Sequence, residues 1–227
     1  MGDGGIYMDY IVKIAQPFVA YKGNEINQES IISALQTKCP DGYTVKDKHI
    51  GSVVFAKVVN KRLIDFFEPL CFKCDGNEQT SILTVSGYNY NELELASECL
   101  GYRTSNYHAY NVLTNVMYND YGTKIFKKVG EYMDYCSVIW DERDNSVIAG
   151  VTTPNDLYTH LYYGYTEHNH EIMFSNDRTI LEQLCSEVEE MPKNTYMKNG
   201  ELYNFNDEKI KKETKPFIRK LMKKWPR

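Results

Sequence analysis

The chain has 227 residues, 42% of them apolar and 25% charged, with 26 Lys and Arg against 31 Asp and Glu. That length and balance fit one sizeable globular domain, or a domain with an appendage. No window approaches the roughly 18 uninterrupted apolar residues of a membrane span, and the N-terminus lacks the basic region and apolar core of a signal peptide. A protein of the cytoplasm, or of a virion, is the expectation.

In chain order, Gly5 to Ala15 reads as a strand with poor alternation. Gln28 to Gln36 places Ile31, Ile32 and Leu35 at helical spacing, and Asn27 is a suitable cap. Cys39-Pro-Asp-Gly42 is a turn signal. His49 to Val59 is rich in β-formers, and Ser81 to Val85 is a buried strand running into the tight turn Ser86-Gly87. Asn91 to Cys99 and Tyr107 to Tyr118 are helix candidates, the second with Tyr110, Leu113 and Met117 on one face; Ile125 to Val129 is a short one. Cys136–Trp140 and Val147–Val151 flank DERDN as a hairpin. Leu161–Tyr165 and Glu171–Ser175 are strands joined by the polar turn Thr166–His170. Thr179 to Leu184 is a helix. A last hairpin, Thr195–Met197 with Glu201–Phe205, turns at Asn199-Gly200. Strands in hairpins with helices grouped between them predict an α+β architecture, not repeated βαβ units.

Six cysteines lie at 39, 71, 74, 99, 136 and 185, and an intracellular setting reads them as reduced thiols. Cys71 and Cys74 have ligand spacing but no second pair, so no metal is expected. His108 and His160 lack the spacing of a Cys–His pair. Asp141, Glu142 and Asp144 read as a solvated turn, and Tyr162–Tyr165 as packing.

A collinear series then gives a resemblance. "SVIWDERDNSVIAG", "LYYGY", "IMFSNDRTIL", "MPKNTY" and "NGELYNF" follow one another as do FAFALWDER, PLYYG, FASE-x-K-AL, PPG-x-Y and DGE in the glutaminase domain of asparagine synthetases. Upstream, "ALQTKCPDG" stands where that family has RHRGPD, "DFFEPL" where it has GAQPL, and "ILTVSGYNYNELEL" where it has VxNGEIYNxxEL. The chain thus resembles a class II glutamine amidotransferase, an N-terminal nucleophile hydrolase, up to about Phe205. The resemblance implies a four-layer αββα sandwich over residues 1–206.

It also implies a site, and the site is degenerate. The family's nucleophile is a Cys that becomes the first residue, with its own α-amino group as base. Aligning GGIY with CGIF puts Gly4 there, and no Cys, Ser or Thr precedes Ser30. The oxyanion-hole Asn and Gly of NGE become Ser86 and Gly87, and the Glu that helps hold the substrate's amino group becomes Tyr88; Gly87 keeps a backbone N–H, while the Asn amide donor becomes a shorter hydroxyl. The Asp that reads the substrate's amino group falls near Tyr110. The Arg that grips its carboxylate falls near Val58, or at Lys57 if the register slips. The expectation is a catalytically inactive relative, a structural or regulatory component that binds protein, a separate synthetase subunit among the candidates. The alternative is an active glutaminase with a non-standard or partner-completed site. No cofactor is implied.

Residues 207–227 carry nine Lys or Arg and three acids, a net of +6, leaving −11 on residues 1–206. Phe217, Leu221 and Trp225 recur at helical spacing among Lys212, Arg219, Lys220 and Lys224. This basic amphipathic tail is a candidate for binding a protein partner or a second copy, with nucleic acid less favoured; packing on its own domain is the competing reading.

Overall fold

The computed structural model describes residues 16–61, 70–73, 81–87, 90–103, 110–153 and 159–210. Its strands are β1 (Phe18–Lys22), β2 (Tyr43–Ile50), β3 (Val53–Asn60), β4 (Leu70–Lys73), β5 (Ser81–Gly87), β6 (Tyr135–Asp141), β7 (Ser146–Thr152), β8 (Tyr162–Tyr165), β9 (Ile172–Ser175), β10 (Glu187–Glu190), β11 (Thr195–Lys198) and β12 (Glu201–Asn204). Its helices are α1 (Gln28–Gln36), α2 (Tyr90–Cys99), α3 (Tyr110–Tyr121), α4 (Ile125–Val129) and α5 (Arg178–Leu184). The expected opening strand Gly5–Ala15 lies outside the described residues.

Among the described residues the strands form two sheets of six. Sheet A runs β10-β8-β9-β1-β3-β2 and sheet B runs β12-β11-β7-β6-β5-β4, and every pairing is antiparallel. The fold is therefore mixed α+β, as the hairpin-rich pattern predicts. Helix α1 forms where its cap and apolar spacing place it. The Asn27 carbonyl oxygen of the side chain accepts the Ser30 N–H, and Ile31, Ala34 and Leu35 are buried. Full burial of Ile31 and Leu35 contributes about 1.5–3 kcal/mol each. At the β11–β12 turn, Asn199 and Gly200 both have positive φ, 49° and 82°, as a two-residue hairpin of this hand requires.

Strand alternation distributes the apolar side chains among three clusters. Phe18, Ala20, Val53 and Phe55 of sheet A meet Cys136, Val138, Trp140, Ala149 and Val151 of sheet B between the sheets. The opposite-parity residues Val19, Tyr21, Val54, Ala56 and Val58 pack with Ile31 and Leu35 of α1 and Ile180 and Leu181 of α5. On the other side, Tyr135, Ile139 and Ile148 of sheet B pack with Leu93, Leu113, Met117, Ile125 and Phe126 of the helices. Tyr163 is buried between the sheets, in keeping with a packing role for that strand.

Asp141 departs from its reading as a turn carboxylate. It ends β6 and is only 4% exposed. Arg143 folds back on it with Nε at 2.8 Å and Nη2 at 2.6 Å, and the Tyr118 hydroxyl donates to it at 3.2 Å. The charge is buried because a two-pronged partner comes from within its own turn.

The loop after β1 and the turn before β9 exchange carboxylates. Glu171 accepts the N–H groups of Asn24 and Glu25 and the Tyr21 hydroxyl. Glu25 accepts those of His168 at 3.0 Å and Asn169 at 2.8 Å. The Thr166 hydroxyl first, then the Asn169 and His168 amides, hold the Glu25 carboxyl down to about 2. A carboxyl depressed below its ordinary 4.5 contributes stability above that pH and loses it as pH falls through about 2. Glu25→Gln is therefore expected to lower the melting temperature at pH 7, and to match the wild type once pH nears 2. Paired melts from pH 7 to pH 2 check this; an offset independent of pH would contradict it.

Candidate functional site

The strand that leads into α1 and the Cys39–Gly42 turn is β1, at the centre of sheet A between β9 and β3. Its head is fixed by one side chain. The Asn176 amide accepts the Phe18 N–H at 2.9 Å and donates to the Gln16 carbonyl at 3.0 Å. The Val58 N–H donates to the Pro17 carbonyl at 2.9 Å, so the pairing with β3 continues past the strand's first residue.

Phe18 stands opposite Lys57 in the β1–β3 register. Alternation puts Lys57 on the same face as Val53 and Phe55, toward sheet B, and Val58 on the face toward α1 and α5. Lys57 is 3% exposed. Burial pulls its amine down to about 8, against the attraction of the neighbouring Cys136 sulfur. Cys136 is itself buried in the layer between the sheets.

Cys136 pairs with Gly87, and Ser137 with Ser86, across β6 and β5. The fold thus brings together the head of β1, Lys57, Cys136 and the end of β5 that carries Ser86-Gly87. Among the predicted positions, Gly87 reaches this place through backbone register, opposite Cys136, whereas Ser86 stands opposite Ser137, whose parity is that of Tyr135 and Ile139 on the face toward the helices. Val58 does not reach it, because its side chain is on the other face. Tyr110 opens α3. Gly4 and Tyr88 lie outside the described residues, as do the tail positions Lys212, Phe217, Arg219, Lys220, Leu221, Lys224 and Trp225.

Sequence reasoning missed Asn176 as the group that holds the head of β1, and Cys136 as the neighbour of Lys57. The signal available for the second was a lone lysine inside the apolar run VVFAKVV. An open polar cleft lined by Ile26, Asn27, Glu29, Ser30, Gln183 and Leu184 lies between α1 and α5, on the far side of sheet A from this assembly. His160 pairs with Glu190 at 2.7 Å on the surface, and His108 is outside the described residues. Cys39 packs at the edge of the α1–α5 cluster. Among the described residues no three His, Cys, Asp or Glu side chains converge as a metal site requires, and no helix is long and apolar enough to cross a membrane.

Chemically, the assembly offers a buried amine, a buried thiol and backbone groups at strand ends. No hydroxyl or thiol stands at the head of β1, where Gln16, Pro17 and Phe18 follow one another.

Among solved structures, the chain is similar to the glutamine phosphoribosylpyrophosphate amidotransferase from B. subtilis complexed with ADP and GMP. The TM-score is 0.55 at 13% identity, over 88% of this chain and 50% of that one. The chain therefore spans about half the length of that protein. It is also matched to a glutamine aminotransferase class-II domain protein from Silicibacter pomeroyi, with a TM-score of 0.42 at 8% identity over 82% of this chain and 92% of that one. No protein-family model and no curated protein matches the sequence. The first likeness gives the chain a fold shared with a glutamine amidotransferase.

Proposed function

We propose that the chain is a catalytically inactive class II glutamine amidotransferase-like protein, nearest in its motifs to the glutaminase domain of asparagine synthetases, that serves as a structural or regulatory protein-binding component. Its layers would be αββα: α1 and α5, sheet A, sheet B, then α2 to α4. The three apolar clusters support that order.

One observation carries the reading. The family's opening strand is headed by the nucleophile and leads toward RHRGPD. Here the described strand that leads toward ALQTKCPDG is β1, headed by Gln16, whereas the motif alignment points to Gly4. Under either register the attacking atom is missing, because no Cys, Ser or Thr occurs between Met1 and Ser30. The hairpin of SVIWDERDNSVIAG and the end of β5 still shape the surroundings. Lys57, not Val58, would then occupy the place of the carboxylate-gripping Arg. It supplies a point charge where the Arg would supply a planar fork. In the motif alignment Ser86 stands for the Asn donor of the oxyanion hole, and loss of such a donor typically costs about 10²–10³ in rate; Tyr88 and Tyr110 would replace the acids that read the substrate's amino group.

Purified protein incubated with glutamine is expected to release no ammonia above the protein-free control. For the active alternative, Cys39 and Cys136 are the thiols to test. Turnover proportional to protein that disappears in Cys136→Ser or Cys39→Ser would favour it and end the inactive reading.

A further inference from the structure

We propose that copies of this chain join edge to edge through sheet A, the outer edge of β2 in one copy pairing with the outer edge of β10 in the next. The inference gives the protein-binding reading above a surface and a partner. Its failure is separate from that of the inactive site, since it is read by mass and not by ammonia.

Sheet A has six strands, all antiparallel, with β10 and β2 at its ends. An even number of antiparallel strands makes the two edge strands run in opposite directions. A second copy placed in line therefore meets β2 with a β10 of the correct sense, and the two copies keep the same face toward their own sheet B.

The side chains agree with that placement. Lys46 and Lys48 pair with Lys57 and Phe55 of β3, and so lie on the face toward sheet B. Glu187 and Glu189 pair with Tyr165 and Tyr163 of β8, which pack between the sheets, and so lie on that same face. Each set is spaced by two residues. One antiparallel register therefore sets Lys46 opposite Glu189 and Lys48 opposite Glu187, on the face they share. Opposite charges directly across a ladder stabilise it, and like charges destabilise it.

Symmetric pairing of either edge with itself is disfavoured by the same rule. A two-fold axis normal to the sheet pairs residues of equal parity. For β2, the two fullest registers set Lys46 against Lys46, or Asp47 against Asp47 with Lys46 against Lys48. For β10, with the sequence EVEE, any such register sets acid against acid. The edges are thus charged against themselves and complementary to each other, which selects a heterologous, open-ended contact.

Sheet B is closed to the same step at β12. There the chain turns back along its own edge, with the Ile210 N–H on the Leu202 carbonyl at 2.8 Å, the Asn204 N–H on the Glu208 carbonyl at 3.0 Å and a bridge between Tyr203 and Lys209. Among the described residues no strand covers β2 or β10 on its outer side.

Four residues of β10 limit the ladder, so the contact is weak and depends on concentration. Sedimentation of the full chain from about 10 μM to about 1 mM tests it. The expected result is an average mass that climbs with concentration in about 50 mM NaCl. Salt at about 500 mM should weaken association roughly tenfold. Lys46→Glu with Lys48→Glu should weaken it about 100-fold by turning attraction into repulsion, and Glu187→Lys with Glu189→Lys should do the same. Mixing the two double variants should restore association, because each then offers the other a complementary edge. This rescue also shows that both variants are folded. A wild type that stays monomeric at every concentration in low salt would overturn the proposal, whether the edge is then bare or covered by the basic tail. So would double variants that associate as the wild type does, or a mixture that stays monomeric.

Discussion

Lys57→Met is expected to stabilise the protein at pH 7 by roughly 3 kcal/mol, with the gain fading as pH rises. The argument starts from burial. The Lys57 amine is enclosed between the sheets, and burial holds it at about 8, below the ordinary 10.5. Each unit of such displacement corresponds to about 1.4 kcal/mol between the protonation states. The sign follows from proton counting. Between pH 8 and 10.5 the unfolded chain binds more protons at this residue than the folded one, so stability rises with pH across that window. Below pH 8 the folded state carries the full cost of a buried charge. Above 10.5 the amine is neutral in both states and the cost is gone. Methionine fills a similar volume with no charge to desolvate. Denaturant titrations of both proteins at pH 7, 9 and 10.5 check this. The variant should lead by most at pH 7 and by least at 10.5. An advantage that is constant with pH, or a loss at pH 7, would show that the amine is not desolvated in the folded state.

The second large effect concerns the packing of α4 on sheet B. An added Cβ at Gly150 would stand 2.3 Å from the Phe126 ring, closer than real side chains approach. Phe126 is itself fully buried against Tyr135, with the ring centroids 6.1 Å apart. Gly150→Ala should cost about 1–3 kcal/mol through overpacking, and Phe126→Ala about 3–5 kcal/mol through the cavity it leaves. The two changes share one space. The double variant should therefore be less destabilised than the sum of the single ones, because the methyl introduced by Gly150→Ala enters the volume the ring vacates. Strict additivity in a double-mutant cycle would show that ring and glycine do not compete for it.

Both effects concern groups whose importance is tertiary, and this marks the limit of what the sequence made legible. Helix α1 was readable in full because its signals are local: a cap at Asn27 and apolar residues one turn apart. The hairpins at DERDN and at Asn199-Gly200 were readable for the same reason. Four strands were not, β4 (Leu70–Lys73) among them. β1 is short, directly follows Pro17 and is buried on both faces, so it shows no alternation. β2 and β10, with the sequences YTVKDKHI and EVEE, lie at sheet edges, where charged side chains replace the apolar alternation on which strand reading relies. The run from His49 to Val59 looked like one β segment, but it holds the end of β2, a two-residue turn at Gly51-Ser52 and most of β3.

The site followed the same division. The apolar run before Ser86 marked a strand, but Ser86-Gly87, read as the turn after it, are its last two paired residues. Which of Lys57 and Val58 faces the space between the sheets depends on the register of β3 against β1, and that is set by pairing between segments far apart in the chain, Phe18 against Lys57. The approach of Cys136 to Lys57 joins two different sheets, so no local pattern could announce it. Asp141 misled because its partners, Arg143 and Tyr118, bury a carboxylate that stands beside a turn otherwise open to solvent.

The most direct test of the account is intact-mass analysis of the purified chain after exposure to a glutamine-mimicking diazo-ketone, which alkylates the nucleophile of a working glutaminase site. The account predicts an unchanged mass, because neither Gly4 nor Gln16 carries an atom that can attack. A stoichiometric adduct, mapped to any single residue of the chain, would contradict it.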